Sequence, residues 1–445
     1  MRVALVVPGG EREMPGMGKV TRPPLGVCYL KSYLEQNGHE ARVFHQVDEN
    51  NEQLAKKIAE YNPQLAGFST MSCVYETGAD LAGKLKGCNP NIRTVFGGEH
   101  ITGSFAEDQK YGDDFFDKSC SGKNVDYYIP FEGEKPLLNL VGGLEAKTNE
   151  EDIRGILIQK NGKWVYTGQV PRVENLDELP APDRSDLPYG KYRSIDEASN
   201  LEYMHTGRGC KFRCSYCATP VSSPGKVVAN SAERVLDEME DRYNAGHDKF
   251  FFADELFTFD PQRVEDICRG IEERGLKGKI QYRVFARVDD VSKGKINLEM
   301  LKDSGCNGLF FGVESMNQET LNRLRKGTTP KMIGTAISKT YEAEIPVWGS
   351  LMVGFPWENE AQLTESLNKY KAIAQGKVAH TYTSFITPFP GTDFHHYCRS
   401  NNLIVDPDYL RSDCQIPALK TEIPQDKLIS IYNNFKDWTE KENEN

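Results

Sequence analysis

The chain has 445 residues, with 54 Lys and Arg against 65 Asp and Glu and a formal net charge of −11. That length allows two or three domains with buried cores, and the acidic balance without a Lys/Arg-rich arm argues against a polynucleotide as main partner. No apolar run is long enough to span a bilayer, and Met1-Arg2 leads straight into a strand-like run with no charged-then-apolar leader. The 11 cysteines are an odd number in such a chain and read as reduced thiols plus a cluster in the cytoplasm, not as a disulfide framework.

From residue 1 to 145, short β-branched runs alternate with apolar residues at helical spacing. Val3–Val7 precedes a helical stretch with Leu25, Tyr29, Leu30 and Leu34. Ala41–Phe44 precedes a helix over Leu54–Tyr61, and Leu65–Ser69 one over Gly78–Lys86. Arg93-Thr-Val-Phe96 then ends on Gly97-Gly98-Glu99-His100. This alternation predicts a doubly wound, Rossmann-like α/β domain whose ligands sit beyond the carboxyl ends of the strands. The loops to watch are Pro8–Pro24, Ser69–Val74 and Gly97–Ser104.

Residues 146–198 form a connecting stretch: Ile156–Tyr166 is two alternating runs around Asn161-Gly162, a hairpin signal, and a proline-rich acidic segment ends at Asp183. From 199 to 395 strand and helix alternate again, with strands expected at Glu202–Thr206, Lys249–Asp254, Gln281–Arg287, Gly308–Glu314, Val347–Val353 and Thr381–Thr387. Six β/α units imply a partial (β/α)6, TIM-like barrel with its chemistry at the strand carboxyl ends. Residues 396–445 form a C-terminal extension whose polar tail, Glu440–Asn445, is expected to be disordered. In the extension Cys398 and Cys414, with His395 and His396, fit no standard zinc spacing and read as loop residues. Tyr397 or Cys398 would still be able to reach a substrate. Cys268 and Cys306 read as core.

The most specific signal is Cys210-Lys-Phe-Arg-Cys214-Ser-Tyr-Cys217, directly after Thr206-Gly-Arg-Gly209. Three thiolates on one loop are one too few for a closed four-ligand site. A cubane so held keeps one iron open; the competing readings are a zinc loop completed by a distant His, or three buried thiols. In order after the loop, Asp254-Glu255, Arg287, Glu314-Ser315, Gly354-Phe-Pro-Trp-Glu358 and Pro388–Thr392 fall at successive strand ends.

This succession resembles the radical S-adenosylmethionine superfamily. The resemblance implies a [4Fe-4S] cluster on Cys210, Cys214 and Cys217 whose open iron chelates S-adenosylmethionine. It further implies that Asp254 or Glu255 accepts a hydrogen bond from the cofactor's ammonium and that Arg287 pairs with its carboxylate. Glu314, with Ser315 beside it, would hold the ribose, and Tyr216 would lie near the adenine. Arg287 and Glu314 would alternatively pair with each other as a salt bridge. Arg325-Lys326-Gly327-Thr328 also recurs in the superfamily and reads as a structural helix end.

The first segment resembles the cobalamin-binding domain that precedes the barrel in one class of these enzymes. The resemblance rests on Pro23-Pro24-Leu25-Gly26 with Tyr29-Leu30, on Gly97-Gly98-x-His100-x-Thr102, and on Phe131-Glu132-Gly133-Glu134. It implies cobalamin against Gly97, Gly98, His100 and Thr102, with Ser69 and Met71 facing the lower side of the corrin. The D-x-H-x-x-G motif of histidine-ligated cobalamin proteins is absent, so the corrinoid would be held without histidine. Two bland readings compete here. His100 would be a surface turn residue, and the loop with Met71 and Cys73 a strand-end core cluster.

The class implies abstraction of hydrogen from an unactivated carbon of a small molecule by a 5′-deoxyadenosyl radical, with methyl transfer to that carbon. A flavodoxin- or ferredoxin-like electron donor is implied as partner. Two alternatives remain at this level: a 1,2-diol dehydratase, cyclase or rearrangement enzyme using the first domain as scaffold, and a non-catalytic iron–sulfur or cobalamin sensor.

Overall fold

A computed structural model describes residues 1–9, 22–192 and 201–443, apart from positions 113, 121, 123, 226, 407, 412 and 413. Most of the Pro8–Pro24 loop and the end of the connecting stretch therefore lie outside the described residues. The chain divides into two compact units, Met1–Ser199 with Val221–Ser223, and Asn200–Pro220 with Pro224–Asn445.

The first unit is built on strands β1 (Arg2–Val7), β2 (Glu40–His45), β3 (Leu65–Ser69), β4 (Arg93–Gly97) and β5 (Tyr127–Tyr128), parallel in the order β2-β1-β3-β4-β5. Strand β1 shows why the sheet needs cover on both sides. Val3 and Leu5 point into one apolar cluster, Ala4 and Val6 into another, and all four are buried. The connecting helices include Leu25–Gln36, Asn51–Tyr61, Tyr75–Cys88 and Glu99–Tyr111. Asn50 starts the second of these with a full capping box to Gln53.

The Asn161-Gly162 hairpin is present, with positive φ at both turn residues (51° and 78°) as a type I′ turn demands. Its strands, β6 (Leu157–Lys160) and β7 (Lys163–Tyr166), pair onto β5 and extend the first sheet to seven strands. The proline-rich segment also packs back on this unit: Lys31 Nζ reaches Asp183 at 3.0 Å and Asp186 at 2.7 Å. Much of the stretch read from sequence as a connector is thus sheet and cover of the first unit.

The second unit opens with β8 (Leu201–Met204) and a short ribbon, β9 (Gly207–Arg208) with β10 (Val228–Ala229). Strands β11 (Lys249–Phe252), β12 (Gln281–Ala286), β13 (Cys306–Glu314), β14 (Val347–Val353) and β15 (Val378–Phe385) follow. They form one parallel sheet in strict chain order, β8-β11-β12-β13-β14-β15, the partial (β/α)6 barrel. One face packs on the helices through Phe250, Phe252, Val284, Phe311, Leu351 and their neighbours.

Three expectations about the extension change. Residues Gln425–Asn443 are helical, so Glu440–Asn443 is ordered; Leu428, Tyr432 and Phe435 bury in the barrel's outer core, and Asn443 Oδ1 accepts a 3.2 Å bond from Thr381 N. His395, His396 and Cys398 lie on a helix, Asp393–Ser400, not in a loop. Cys398 is fully buried beside Phe394 and Leu324, closed off from solvent, whereas Tyr397 is exposed. Cys268 and Cys306 are core, as the sequence suggests.

Candidate functional site

The cysteine loop hangs from the carboxyl end of β8, and the backbone around it is fixed by the carboxylates of Asp254 and Glu255. Asp254, just beyond β11 and 1% exposed, accepts from Thr206 N at 2.6 Å and from the Thr206 hydroxyl. Arg263 braces the same turn by donating to Thr206 O at 2.8 Å and Asn230 O at 2.9 Å. Burial holds the Asp254 carboxyl up at about 6, against the pull of Arg263 and Thr206. Glu255, its neighbour, is exposed and accepts a 3.1 Å bond from Gly209 N, where φ is +93° and a side chain would be strained. Sequence left Asp254 and Glu255 interchangeable; the fold makes Asp254 a clamp on the chain and leaves Glu255 open beside the loop.

Cys210, Cys214 and Cys217 are half-buried free thiols. Burial raises the pKa of Cys210 and of Cys217. Desolvated thiols of this kind lose their protons most readily to a coordinated metal, which replaces each proton with a stronger positive partner. Cys210, Cys214 and Cys217 would hold a cubane cluster, which would supply one-electron chemistry at this loop. No convergent set of three His, Cys, Asp or Glu occurs among the described residues. The loop is anchored by Ser215, whose N–H donates to Leu324 O at 2.9 Å and whose hydroxyl donates to Arg323 O at 3.2 Å.

Around the loop the structure gathers Tyr216, Arg287, Glu314 and Lys326. Tyr216 Oη donates to Glu314 Oε1 at 2.9 Å, while Lys326 Nζ reaches the same oxygen at 2.7 Å and Tyr216 Oη at 3.2 Å. Burial alone would lower the Lys326 pKa, but Glu314 and nearby Cys214 reverse this and raise it, so the ammonium stays charged. Burial and Glu314 together push the Tyr216 phenol well above its usual value. Glu314 itself sits at φ +66° where the β13–β14 register shifts, a bulge that turns its carboxylate back over Gly312. A Cβ on Gly312 would lie 2.3 Å from Glu314 Oε1 and 2.7 Å from Lys326 Nζ, so a side chain there would push the ends of both side chains out of their present pairing.

Arg287 does not pair with Glu314. Its Nε donates to Asp289 Oδ1 at 2.6 Å and Nη2 to Lys326 O at 2.7 Å, and its guanidinium lies 3.4 Å over the Phe212 ring of the cysteine loop. Ser315 turns away from this group. It is buried, with its hydroxyl 3.2 Å from Ser366 Oγ and 3.5 Å from Glu358 Oε1. Burial raises Glu358 to about 7. Lys326 is what the sequence reading missed. The signal was present, a lysine in a segment that recurs with the motif, but its distance along the chain from Tyr216 and Glu314 hid the contact.

In the first unit the diglycine turn follows β4. Gly98 has φ +98°, and its Cβ position lies 2.6 Å from Thr70 O. Its glycine requirement is thus met by the chain's own backbone: Thr70 N donates to Gly97 O at 2.9 Å and His100 N to Thr70 O at 3.2 Å. His100 is no surface residue. It is buried on the helix Glu99–Tyr111, stacked on Tyr75 at 4.4 Å, with Nδ1 3.1 Å from Ser72 Oγ and Nε2 3.3 Å from Ser119 O. Burial lowers its pKa to about 4. Thr102 is buried too and accepts from Phe131 N at 2.8 Å. By contrast Met71 is 55% exposed on the loop after β3, and Ser69, Gly97 and Gly98 are half-exposed, so the core-cluster reading of that loop fails for Met71. In a sheet ordered β2-β1-β3-β4-β5, the ends of β1 and β3 flank the switch point where ligands bind. Met71, with Ser69, Gly97 and Gly98, would hold a corrinoid at this edge, and among the described residues here the histidine, His100, is buried behind the turn.

Family models place a radical SAM domain at residues 204–369 and a B12-binding domain at 19–118. The chain belongs to the radical SAM superfamily, in the class with an amino-terminal cobalamin-binding domain. It is 27% identical over 426 residues to an uncharacterized methyltransferase of Pyrococcus horikoshii, covering 94% of this chain and 88% of that one. It is 25% identical to the anaerobic magnesium-protoporphyrin IX monomethyl ester cyclase of Cereibacter sphaeroides (98% and 70% covered). It is also 25% identical to the hopanoid C-3 methylase of Methylococcus capsulatus (90% and 73%). In fold it matches the methyltransferase TsrM of Kitasatospora setae, solved with cobalamin and a [4Fe-4S] cluster, at a TM-score of 0.70, 17% identity and coverage of 90% and 75%. This radical SAM protein is therefore an enzyme whose cofactors are a [4Fe-4S] cluster, S-adenosylmethionine and cobalamin. No helix among its described residues is long and apolar enough to cross a membrane.

Proposed function

We propose that this radical SAM enzyme methylates an unactivated carbon of a small molecule. One observation carries the reading: a single chain pairs the three-cysteine loop at a partial-barrel mouth with a doubly wound unit whose switch-point edge exposes Met71. When bound, the cluster with S-adenosylmethionine supplies hydrogen-abstracting radical chemistry and the corrinoid supplies the methyl group.

The chain's own part is to hold and orient. Cys210, Cys214 and Cys217 hold the cluster. Glu255 accepts from the ammonium of S-adenosylmethionine, Arg287 offers its remaining donors to the carboxylate, and Glu314 with Lys326 and Tyr216 addresses the ribose and adenine. Asp254 and Ser315 act through others: Asp254 fixes the turn that carries the cysteines, and Ser315 fixes the bulge that aims Glu314. In the first unit Met71 and Ser69 meet the corrin face, and Gly97 and Gly98 meet its tail. His100 and Thr102 stabilise the turn from behind. A flavodoxin- or ferredoxin-like donor supplies electrons, and the eleven free thiols suit the reducing cytoplasm.

The test is anaerobic reconstitution with iron, sulfide and hydroxocobalamin, then an absorbance spectrum after desalting. Stoichiometric corrin absorbance beside the iron–sulfur band is expected. An iron–sulfur band alone would remove the methyl-transfer reading and turn the search to ring closure or dehydration.

A further inference from the structure

Arginine is long and flexible, and holding it in one place costs rotamer entropy. Arg287, directly after β12, is held on three sides. Its Nε donates at 2.6 Å to Asp289 Oδ1, in the first turn of the next helix, Val288–Ser292. Its Nη2 donates to Lys326 O at 2.7 Å. The third side is a face: the guanidinium lies 3.4 Å from the centre of the Phe212 ring, inside the cysteine loop. Nη1 has no partner among the described residues, so one end of the fork stays open.

Two of the three contacts come from one support. Lys326 follows the helix Gln318–Arg323, and its N–H donates to Leu321 O at 3.0 Å. The same helix end receives the cysteine loop, where Ser215 donates to Leu324 O and Arg323 O. Phe212 lies on that loop between Cys210 and Ser215 and carries its contact with Arg287. A ring face is a partner on which a guanidinium stacks without using a hydrogen-bond donor. Phe212 therefore fixes the plane of the fork and leaves its edge free. A leucine would fill similar space with no such hold on the plane.

We propose that Phe212 is a positioning residue: stacked on Arg287, it presets the guanidinium for the carboxylate of S-adenosylmethionine. This rests on the reading that Arg287 meets that carboxylate, and not on methyl transfer. Because the ring belongs to the cysteine loop, the order of that loop and the affinity for the carboxylate are tied together.

The reconstituted full-length enzyme is titrated by calorimetry with S-adenosylmethionine and with its decarboxylated form, which lacks only the carboxylate. Iron content and corrin absorbance are read on each preparation. Phe212→Leu should weaken S-adenosylmethionine binding about fivefold, the size of one cation–π contact or of one side chain newly ordered on binding. Binding of the decarboxylated form should not change, whereas a merely structural role would weaken both ligands alike. Phe212→Tyr, which keeps the ring face, should restore the wild-type value. In an Arg287→Gln background, Phe212→Leu should have no further effect. Equal losses for both ligands, no loss in Phe212→Leu, or the same loss in Phe212→Tyr would overturn the proposal. So would an Arg287→Gln protein on which Phe212→Leu still acts. If Phe212→Leu takes up less iron, all the proteins, wild type included, are compared metal-free, with the same selective loss expected. Loss of corrin with this pattern intact sinks the methyl-transfer reading alone. An Arg287→Gln defect beside a silent Phe212→Leu sinks the role of the ring alone.

Discussion

Removing the Lys326 ammonium tests the site's internal electrostatics without any cofactor. Lys326 and Glu314 form a 2.7 Å pair with side chains 12% and 9% exposed, so Lys326→Met leaves a nearly buried carboxylate with the Tyr216 hydroxyl as its remaining partner within the triad. Stranding one member of a buried pair costs about 3–5 kcal/mol, and the slight exposure here places the loss near the lower end, about 3 kcal/mol. For a unit of about 240 residues, each kcal/mol moves the midpoint by about 2–4 °C. Lys326→Met should therefore lower the thermal midpoint of the barrel unit by about 6–12 °C. The double variant Lys326→Met/Glu314→Leu removes both charges and should recover to within about 1 kcal/mol of wild type. Scanning calorimetry of the metal-free protein reads both. A Lys326→Met midpoint within 1 °C of wild type, or a double variant as unstable as the sum of the singles, would refute the argument that Glu314 depends on this ammonium.

Gly312→Ala places a methyl 2.3 Å from Glu314 Oε1. It should weaken S-adenosylmethionine binding about tenfold while costing about 1–3 kcal/mol of stability, and unchanged affinity by calorimetry would show that the bulge does not aim Glu314. Asp254 has a folded pKa of about 6 against an ordinary 3.8, so the folded state binds the proton more tightly than the unfolded one. Stability is then greatest below the lower value and falls as pH rises through the window, by about 3 kcal/mol in all. Denaturant unfolding between pH 4 and 7 should show that decline shrink in Asp254→Asn, and parallel curves would contradict it. In the first unit, Met71→Ala should leave the unfolding midpoint unchanged and weaken hydroxocobalamin retention. Gly98→Ala, at φ +98° and 2.6 Å from Thr70 O, should lower stability by more than about 1 kcal/mol.

Much of the fold is legible in the sequence because its signals are local. Strand β1 reads as a strand because four consecutive apolar residues must be buried on two faces, and Asn161-Gly162 reads as a turn because both positions need positive φ. The three cysteines are legible for the same reason, lying within eight residues of one loop with a fixed ligand count.

What periodicity cannot give is the partner of a side chain. Asp254 and Glu255 are chemically alike neighbours, and only the path of the backbone past β11 buries one against Thr206 and leaves the other open. His100 is a solitary histidine in sequence and becomes a neutral, stacked core residue once Tyr75 and the Glu99–Tyr111 helix enclose it. Met71 looks like core by its type and is exposed because its strand ends there. Lys326 acquires its role from a contact across 110 residues to Tyr216. Sequence by itself determined the two α/β units, the ligand number of the cluster loop and the strand ends where chemistry is placed, since each follows from spacing along one short segment. Which carboxylate stays open, which cation enters the site and which ring covers Arg287 were decided by tertiary structure. Burial, charge pairing and close approach are properties of residues brought together from distant parts of the chain.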